Sequence, residues 1–280
     1  MSSAWACPAQ GAEVALRQPT LFLSHGGGPW PYLEGEARER FQVLESSLQA
    51  LPGHLPERPK AVLMVSGHWE SDAFEVMASP SPGMLYDYGG FPPHTYQVRY
   101  AAPGAPALAM RVAELIAQAG LPSRLDAERG FDHGAFAPMA VMYPHADMPM
   151  AQLSLRHGED AGLHMRLGQA LAPMRDEGVL IIGSGLSYHN LRQFSAQGAQ
   201  ASRQFDQWLQ GTLLKKTGLA REQALAAWHA APAARQAHPQ ADHLIPLMVA
   251  AGAAREEQAT CIYHEADFFG GLTVSSFRFG

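Results

Sequence analysis

Two cysteines in 280 residues, Cys7 and Cys261, are too few to staple a fold of this size or to build a cysteine-based zinc site. They read as free thiols in a reducing cytoplasm. Cationic residues are also scarce: Lys and Arg number 20 against 26 Asp and Glu, for a formal charge of −6. No basic stripe appears, which excludes a nucleic-acid groove, since phosphate binding needs clustered cations. Long apolar runs are missing too. The most apolar stretches, "AVLMVSG" and "GVLIIGSG", are strand-length, far below the ~20 residues of a membrane span, so no membrane partner is expected. The amino-terminal "MSSAWACPAQGAEVALRQP" has neither a charged start nor a continuous apolar segment, and no signal peptide is expected. A Walker-type loop and a full GxGxxG pattern are absent, leaving nucleotide binding without support. "GSGLS" fails as a nucleophile elbow, because Gly183-Ser184-Gly185-Leu186-Ser187 puts the serine out of place.

What is present is a compact, core-forming composition, with 47% apolar and 16% charged residues. Four short apolar runs read as strands covered on both faces: "PTLFLS" (19–24), "AVLMVS" (61–66), "MPMAQLSL" (148–155) and "GVLIIGSG" (178–185). Helix-like segments alternate with them. "PGAPALAMRVAELIAQAG" has Pro106 in its first turn and Gly120 at its end; "HMRLGQALAPMRDEG" precedes the fourth run, and "QFDQWLQGTLLKK" and "EQALAAWHAA" follow it. This alternation predicts an α/β fold: one domain (19–280) after an N-terminal extension (1–18), with a central, mostly parallel or mixed sheet flanked by helices. The final "GGLTVSSFRFG" reads as a terminal strand on the sheet edge. A Pro-, Gly- and Tyr-rich stretch (78–104) is too irregular for a long element and reads equally as a pocket wall or a surface excursion.

Histidine is the pointed feature. Three of the four strand-like runs end in one: "FLSHGGG" in His25, "MVSGHWE" in His68 and "IIGSGLSYHN" in His189. Ligands in open α/β sheets bind beyond the carboxyl ends of the strands, so these rings are expected to converge. In "AHPQADHLIPLMVAAG", His238 and His243 flank an expected helix start. Five helical residues rotate by about 140°, so at most one of them joins a shared site. His243 is better placed to point inward, with His238 as a cap or a supporting group. In "RGFDHGAFAPMAVMYP", Asp132 either orients His133 or caps the helix that follows. Most of the other histidines are expected to face solvent. Imidazoles spread over more than 200 residues suit a mononuclear metal (Fe, Zn, Cu or Ni) with open coordination positions, rather than a closed structural site.

Taken in order, "LSHGGG", "VSGHWE", "YDYGGFP", "YAAPGAPALA", "GFDHGAFAPMAVMYPHADMPMAQLSL", "GSGLSYHNLR" and "PQADHLIPLM" resemble the DOPA extradiol dioxygenase-like proteins, class III extradiol ring-cleaving dioxygenases of the protocatechuate dioxygenase catalytic-subunit superfamily. The resemblance implies one α/β domain that opens a small aromatic diol with O2, using one non-haem metal. Fe(II) is expected for activity, and Zn(II) is an alternative bound metal. It makes His25, His68 and His243 metal ligands, His189 a fourth ligand or an acid/base group, and His133 a further pocket histidine near substrate and oxygen. In the wider superfamily the third ligand is commonly a glutamate; His243 stands in its place here. Tyr86, Phe91 and Pro92 are expected to shape an aromatic slot, and Arg99 and Arg129 lie near the relevant motifs. The same histidines also suit a zinc hydrolase working through metal-bound hydroxide, or a noncatalytic metal-binding protein of the same fold.

Overall fold

The computed structural model describes residues 16–280; Cys7 and most of the N-terminal extension lie outside them. Eight strands form one sheet: β1 (Thr20–Ser24), β2 (Ala61–Ser71), β3 (Phe74–Met77), β4 (Ser123–Asp126), β5 (Met150–Arg156), β6 (Val179–Gly185), β7 (Ala259–Phe268) and β8 (Leu272–Phe279). Their order is β4-β3-β5-β2-β6-β1-β8-β7. The four central strands, β5-β2-β6-β1, are mutually parallel, and β8 and β3 join them antiparallel on either side. The sheet is therefore mixed around a parallel centre. The four apolar runs read from the sequence are those four central strands, whose side chains are buried on both faces.

The differences lie at the margins. The expected C-terminal edge strand is β8, which is interior; the edge is β7, whose half-exposed pattern carries no apolar run. Two four-residue strands, β3 and β4, are too short to show periodicity. β2 does not stop at Ser66 but runs on to Ser71, with its register against β5 shifting between Val65 and Glu70 while its pairing with β6 ends at Ser66. His68 thus sits on the irregular part of β2, free of a β6 neighbour. Such bulges re-aim side chains beside active sites.

Alternation along β6 sorts the two covering layers. Ser184 faces the helix His133–Met142, donating its hydroxyl to the Gly134 carbonyl at 2.5 Å. Its neighbours Gly183 and Gly185 face the opposite layer, which contains the helix Ile245–Ala253. A Cβ on Gly185 would lie 2.0 Å from the His243 carbonyl oxygen, so only glycine lets that segment close down on the strand.

One histidine expected to face solvent does not. His164 is buried in the helix Ala161–Leu171, where Nδ1–H donates to the Asp160 carbonyl at 2.7 Å and Nε2 accepts from the Arg156 amide at 3.1 Å. Burial pulls its pKa down to about 4. Its folded pKa lies below the unfolded value, so the neutral ring stabilises fully above about pH 6.5, and this contribution drains away as pH falls toward 4. Replacing His164 with Gln is expected to flatten the loss of stability between those limits, by on the order of 3 kcal/mol, in urea unfolding across pH. Separately, Gly185→Ala is expected to cost about 1–3 kcal/mol by forcing the His243 segment off β6, and to weaken metal binding; unfolding and metal titration check both.

Candidate metal centre

Parallel pairing of β1, β2 and β6 brings their carboxyl ends to the same side of the sheet. His25 follows β1 directly, its amide bonded to the Gly185 carbonyl at 3.0 Å. The chain then turns sharply at Gly26, where φ is +86° and a Cβ would strike the Trp30 indole at 2.4 Å. That indole donates to the His25 carbonyl at 2.7 Å, clamping the turn from below. His68 is held through Ser66, whose hydroxyl accepts the His68 amide at 3.2 Å. The last two rings arrive on two strapped loops: Leu186 N–H donates to the His243 carbonyl at 3.1 Å and His189 N–H to the Ala237 carbonyl at 3.0 Å. Those straps stack His189 on His243, with centroids 3.4 Å apart and planes 16° from parallel.

The Nε2 atoms of His25, His68 and His243 converge: His25 and His243 lie 3.2 and 3.0 Å from His68. Each ring's Nδ1 faces a separate partner. His25 Nδ1 is 3.0 Å from the Ser184 hydroxyl, whose own proton goes to Gly134, so Nδ1–H must be the donor and Nε2 the bare acceptor. His243 Nδ1 lies 2.8 Å from Asp242 Oδ2, and His68 Nδ1 lies 3.3 Å from Asp87 Oδ2. Burial, reinforced by the neighbouring rings, lowers the pKa of His25 and His243 far below the ordinary range, and burial brings His68 to about 3. Three neutral rings therefore aim lone pairs at one point. Without a cation between them these contacts are repulsive, and a divalent metal is the group that such a donor set fits.

His189 stands outside that convergent trio and groups instead with Asp242 and His243; its Nδ1 is 3.8 Å from Asp242 Oδ1. His133, 6% exposed, opens its helix with Asp132 as the N-cap. Its ring is oriented not by Asp132 but by Asp87, which accepts from Nδ1 at 2.9 Å and from the backbone amide at 3.0 Å. Burial raises the Asp87 carboxyl, but the His133 hydrogen bonds and the two nearby rings outweigh it and bring the pKa below its usual value. Asp132 is fully committed elsewhere, to Ser66, Ala135, Gln152 and Arg129 at 2.8–3.1 Å. His238 is buried on the Ser187 carbonyl, and the chain from His238 to Leu244 is a turn rather than the expected helix start.

A cavity of about 840 Å³ opens over these rings. All five histidines line it, with Asp87, Asp242, Tyr88, Phe91 and an aromatic wall of Phe41, Phe194 and Phe269. Of the three residues expected to shape the slot, Phe91 lines it. Tyr86 and Pro92 do not; Tyr86 turns its hydroxyl to the Val98 carbonyl at 2.8 Å, and Tyr88 occupies the place instead. Arg129 is spent on Asp132 and the Trp69 face, and Arg99 lies on a different surface. The cation on this cavity is Arg40, its guanidinium 5.9 Å over the Phe269 ring, with no carboxylate of the described residues in ion-pair contact. Asp87, Asp242 and Arg40 carry no signal in a single sequence beyond adjacency: Asp242 precedes His243, and Asp87 sits in "YDYGGFP".

Residues 19–279 match the family described as the catalytic LigB subunit of aromatic ring-opening dioxygenase. Curated relatives called 4,5-DOPA dioxygenase extradiol share 38% identity in Beta vulgaris and 39% in Portulaca grandiflora, each alignment covering 96% of this chain and 98% of the relative. A relative of the same name in Escherichia coli K12 is 35% identical over 95% of this chain and 96% of its own. The fold superposes on the crystal structure of an uncharacterized protein from Escherichia coli K12 with a TM-score of 0.77, at 33% identity, over 94% of this chain and 100% of the other. On family match, near-full-length identity and shared fold together, the chain belongs to the LigB family of aromatic ring-opening dioxygenases, among the DOPA extradiol dioxygenase-like enzymes.

Proposed function

We propose that this chain opens the ring of a side-chain-bearing catechol outside the diol, with O2 and an Fe(II) ion held by His25, His68 and His243. The observation that carries the reading is the convergence of three neutral Nε2 atoms in an open cavity. An Fe(II) ion there supplies the electron-transfer chemistry that lets O2 react with an aromatic diol. The protein supplies the rest. Phe41, Phe91, Phe194 and Phe269 give an apolar slot for a planar ring. His189 and His133 flank the ligand rings and keep imidazole nitrogens available to take the diol protons and return one as the ring opens. Acid/base help of this kind contributes about 10²–10⁴ in rate. His189 is the first choice for that role, because its ring stacks on His243 instead of joining the convergent trio.

The cavity is far larger than a bare catechol requires, and the relatives are named for DOPA, a catechol with an amino-acid side chain. Arg40 supports a carboxylate on that side chain, and Glu36, which also lines the cavity, supports an ammonium. Free Cys261 and the lack of any helix able to span a membrane among the described residues are compatible with a reducing, cytoplasmic setting.

Anaerobic loading with Fe(II), followed by catechols and O2, is expected to consume one O2 per ring opened and to give a yellow semialdehyde-type product. Turnover with zinc and no oxygen uptake would replace this reading with hydrolysis. With Arg40→Gln, the preference for a carboxylated over an uncharged catechol, read as the ratio of kcat/KM values, is expected to fall about tenfold, the worth of one charge-assisted hydrogen bond.

A further inference from the structure

The centre has a two-fold logic that the ligand set alone does not reveal. Asp87 touches one ligand ring and one flanking ring: Oδ2 lies 3.3 Å from His68 Nδ1, while Oδ1 takes His133 Nδ1 at 2.9 Å. Asp242 repeats the arrangement on the other side, with Oδ2 at 2.8 Å from His243 Nδ1 and Oδ1 facing His189 Nδ1 at 3.8 Å. Both ring pairs are packed against each other, at 3.8 Å between the His68 and His133 centroids and 3.4 Å between those of His189 and His243. The two halves differ in one respect. In the Asp87 half the hydrogen bonds go to the flanking His133, with His68 Nδ1 only at ion-pair distance, whereas in the Asp242 half the short bond goes to the ligand ring His243 and Oδ1 is buried without a hydrogen-bond partner.

We propose that Asp87 and Asp242 are a matched pair of positioning residues, each tying one metal-binding imidazole to one proton-handling imidazole through a single carboxylate. The inference rests on the ligand set given above. Asp242 hydrogen-bonds His243 Nδ1 and Asp87 faces His68 Nδ1 at 3.3 Å, and a carboxylate there favours the tautomer with Nδ1 protonated and Nε2 bare for the metal. The same group presents the flanking ring to the cavity. For His133 the carboxylate fixes Nδ1–H, so Nε2 is the nitrogen free to carry a substrate proton. His189 lacks that short bond and is held by stacking on His243, so its ring nitrogens are not committed to a hydrogen bond, which suits a ring that must first accept a proton and then deliver it. Asp87 also lies on the irregular stretch between β3 and the helix Pro106–Gln118, so it fastens the cavity wall to the centre.

The test separates metal holding from proton handling. Affinity for Co(II) is measured by competition with a chromophoric chelator, and kcat and KM are measured on a catechol at saturating Fe(II). Asp87→Asn is expected to weaken Co(II) binding about 10- to 100-fold and to lower kcat by about 10²–10⁴ while KM stays within about threefold. His133→Gln is expected to lower kcat alone. The double variant is expected to lose no more kcat than His133→Gln by itself, because Asp87 acts on turnover through that ring. Multiplying losses, or Co(II) affinity unchanged in Asp87→Asn, would overturn the proposal. Asp242→Asn, paired with His189→Gln, repeats the cycle should Asp87→Asn fail to fold. If the wild-type protein opens no catechol, the proposed reaction falls, while the Co(II) measurement still decides the role of the carboxylates.

Discussion

Bringing the bare nitrogens of two uncharged imidazoles to within 3.0 and 3.2 Å of a third is unfavourable for a protein by itself, and the architecture of this chain is organised around that constraint. The Nε2 atoms of His25, His68 and His243 are acceptors facing acceptors. Each ring must therefore be fixed from behind, and each is: Ser184, Asp87 and Asp242 occupy the three Nδ1 positions. Burial keeps the rings neutral and so withholds the easiest escape, protonation. What remains is a cavity-facing cluster whose electrostatic deficit a divalent cation removes. A metal bound by such a donor set is linked to folding in general, because it relieves contacts that are unfavourable without it.

The supports come from far apart in the sequence and depend on close backbone packing. Ser184 sits on β6 between two glycines, and the bare face at Gly185 allows the His243 carbonyl to lie against the strand. Asp132, wholly buried, gathers β2, β5 and the helix that carries His133 through Ser66, Gln152 and Ala135. A carboxylate that accepts from that many donors rigidifies what it touches. At the centre, Asp87 and Asp242 act on rings instead of on the frame, Asp87 through two bonds to His133 and Asp242 through one to His243.

A good part of this was legible in the residues. The four central strands announce themselves as continuous apolar runs, and three of the histidines stand at or just past the ends of such runs, where parallel α/β sheets place ligands. Edge elements were not legible: β3 and β4 are too short for a period, and the alternation of β7 is interrupted by register shifts between Cys261 and Tyr263 and between Glu265 and Phe268. The expected edge position of β8 failed because strand order is a matter of pairing partners, which local pattern does not encode. The burial of His164 is illegible for a related reason, its ring being satisfied by two backbone groups that only the folded chain brings together.

The order of residues determined which chemistry is possible: imidazoles without cysteine, on the loops of an α/β domain, with an irregular aromatic segment between them. Tertiary structure alone decided how those groups are used. Which nitrogen of each ring is bare depends on a partner up to 159 residues away, as with Ser184 behind His25. Whether an aspartate orients a ring or caps a helix depends on which group reaches it first in space, and here Asp87 took the role that adjacency offered to Asp132. Sequence sets donor types and local periodicity; only the folded chain sets direction and distance, and hydrogen bonds and metal sites are selective for both.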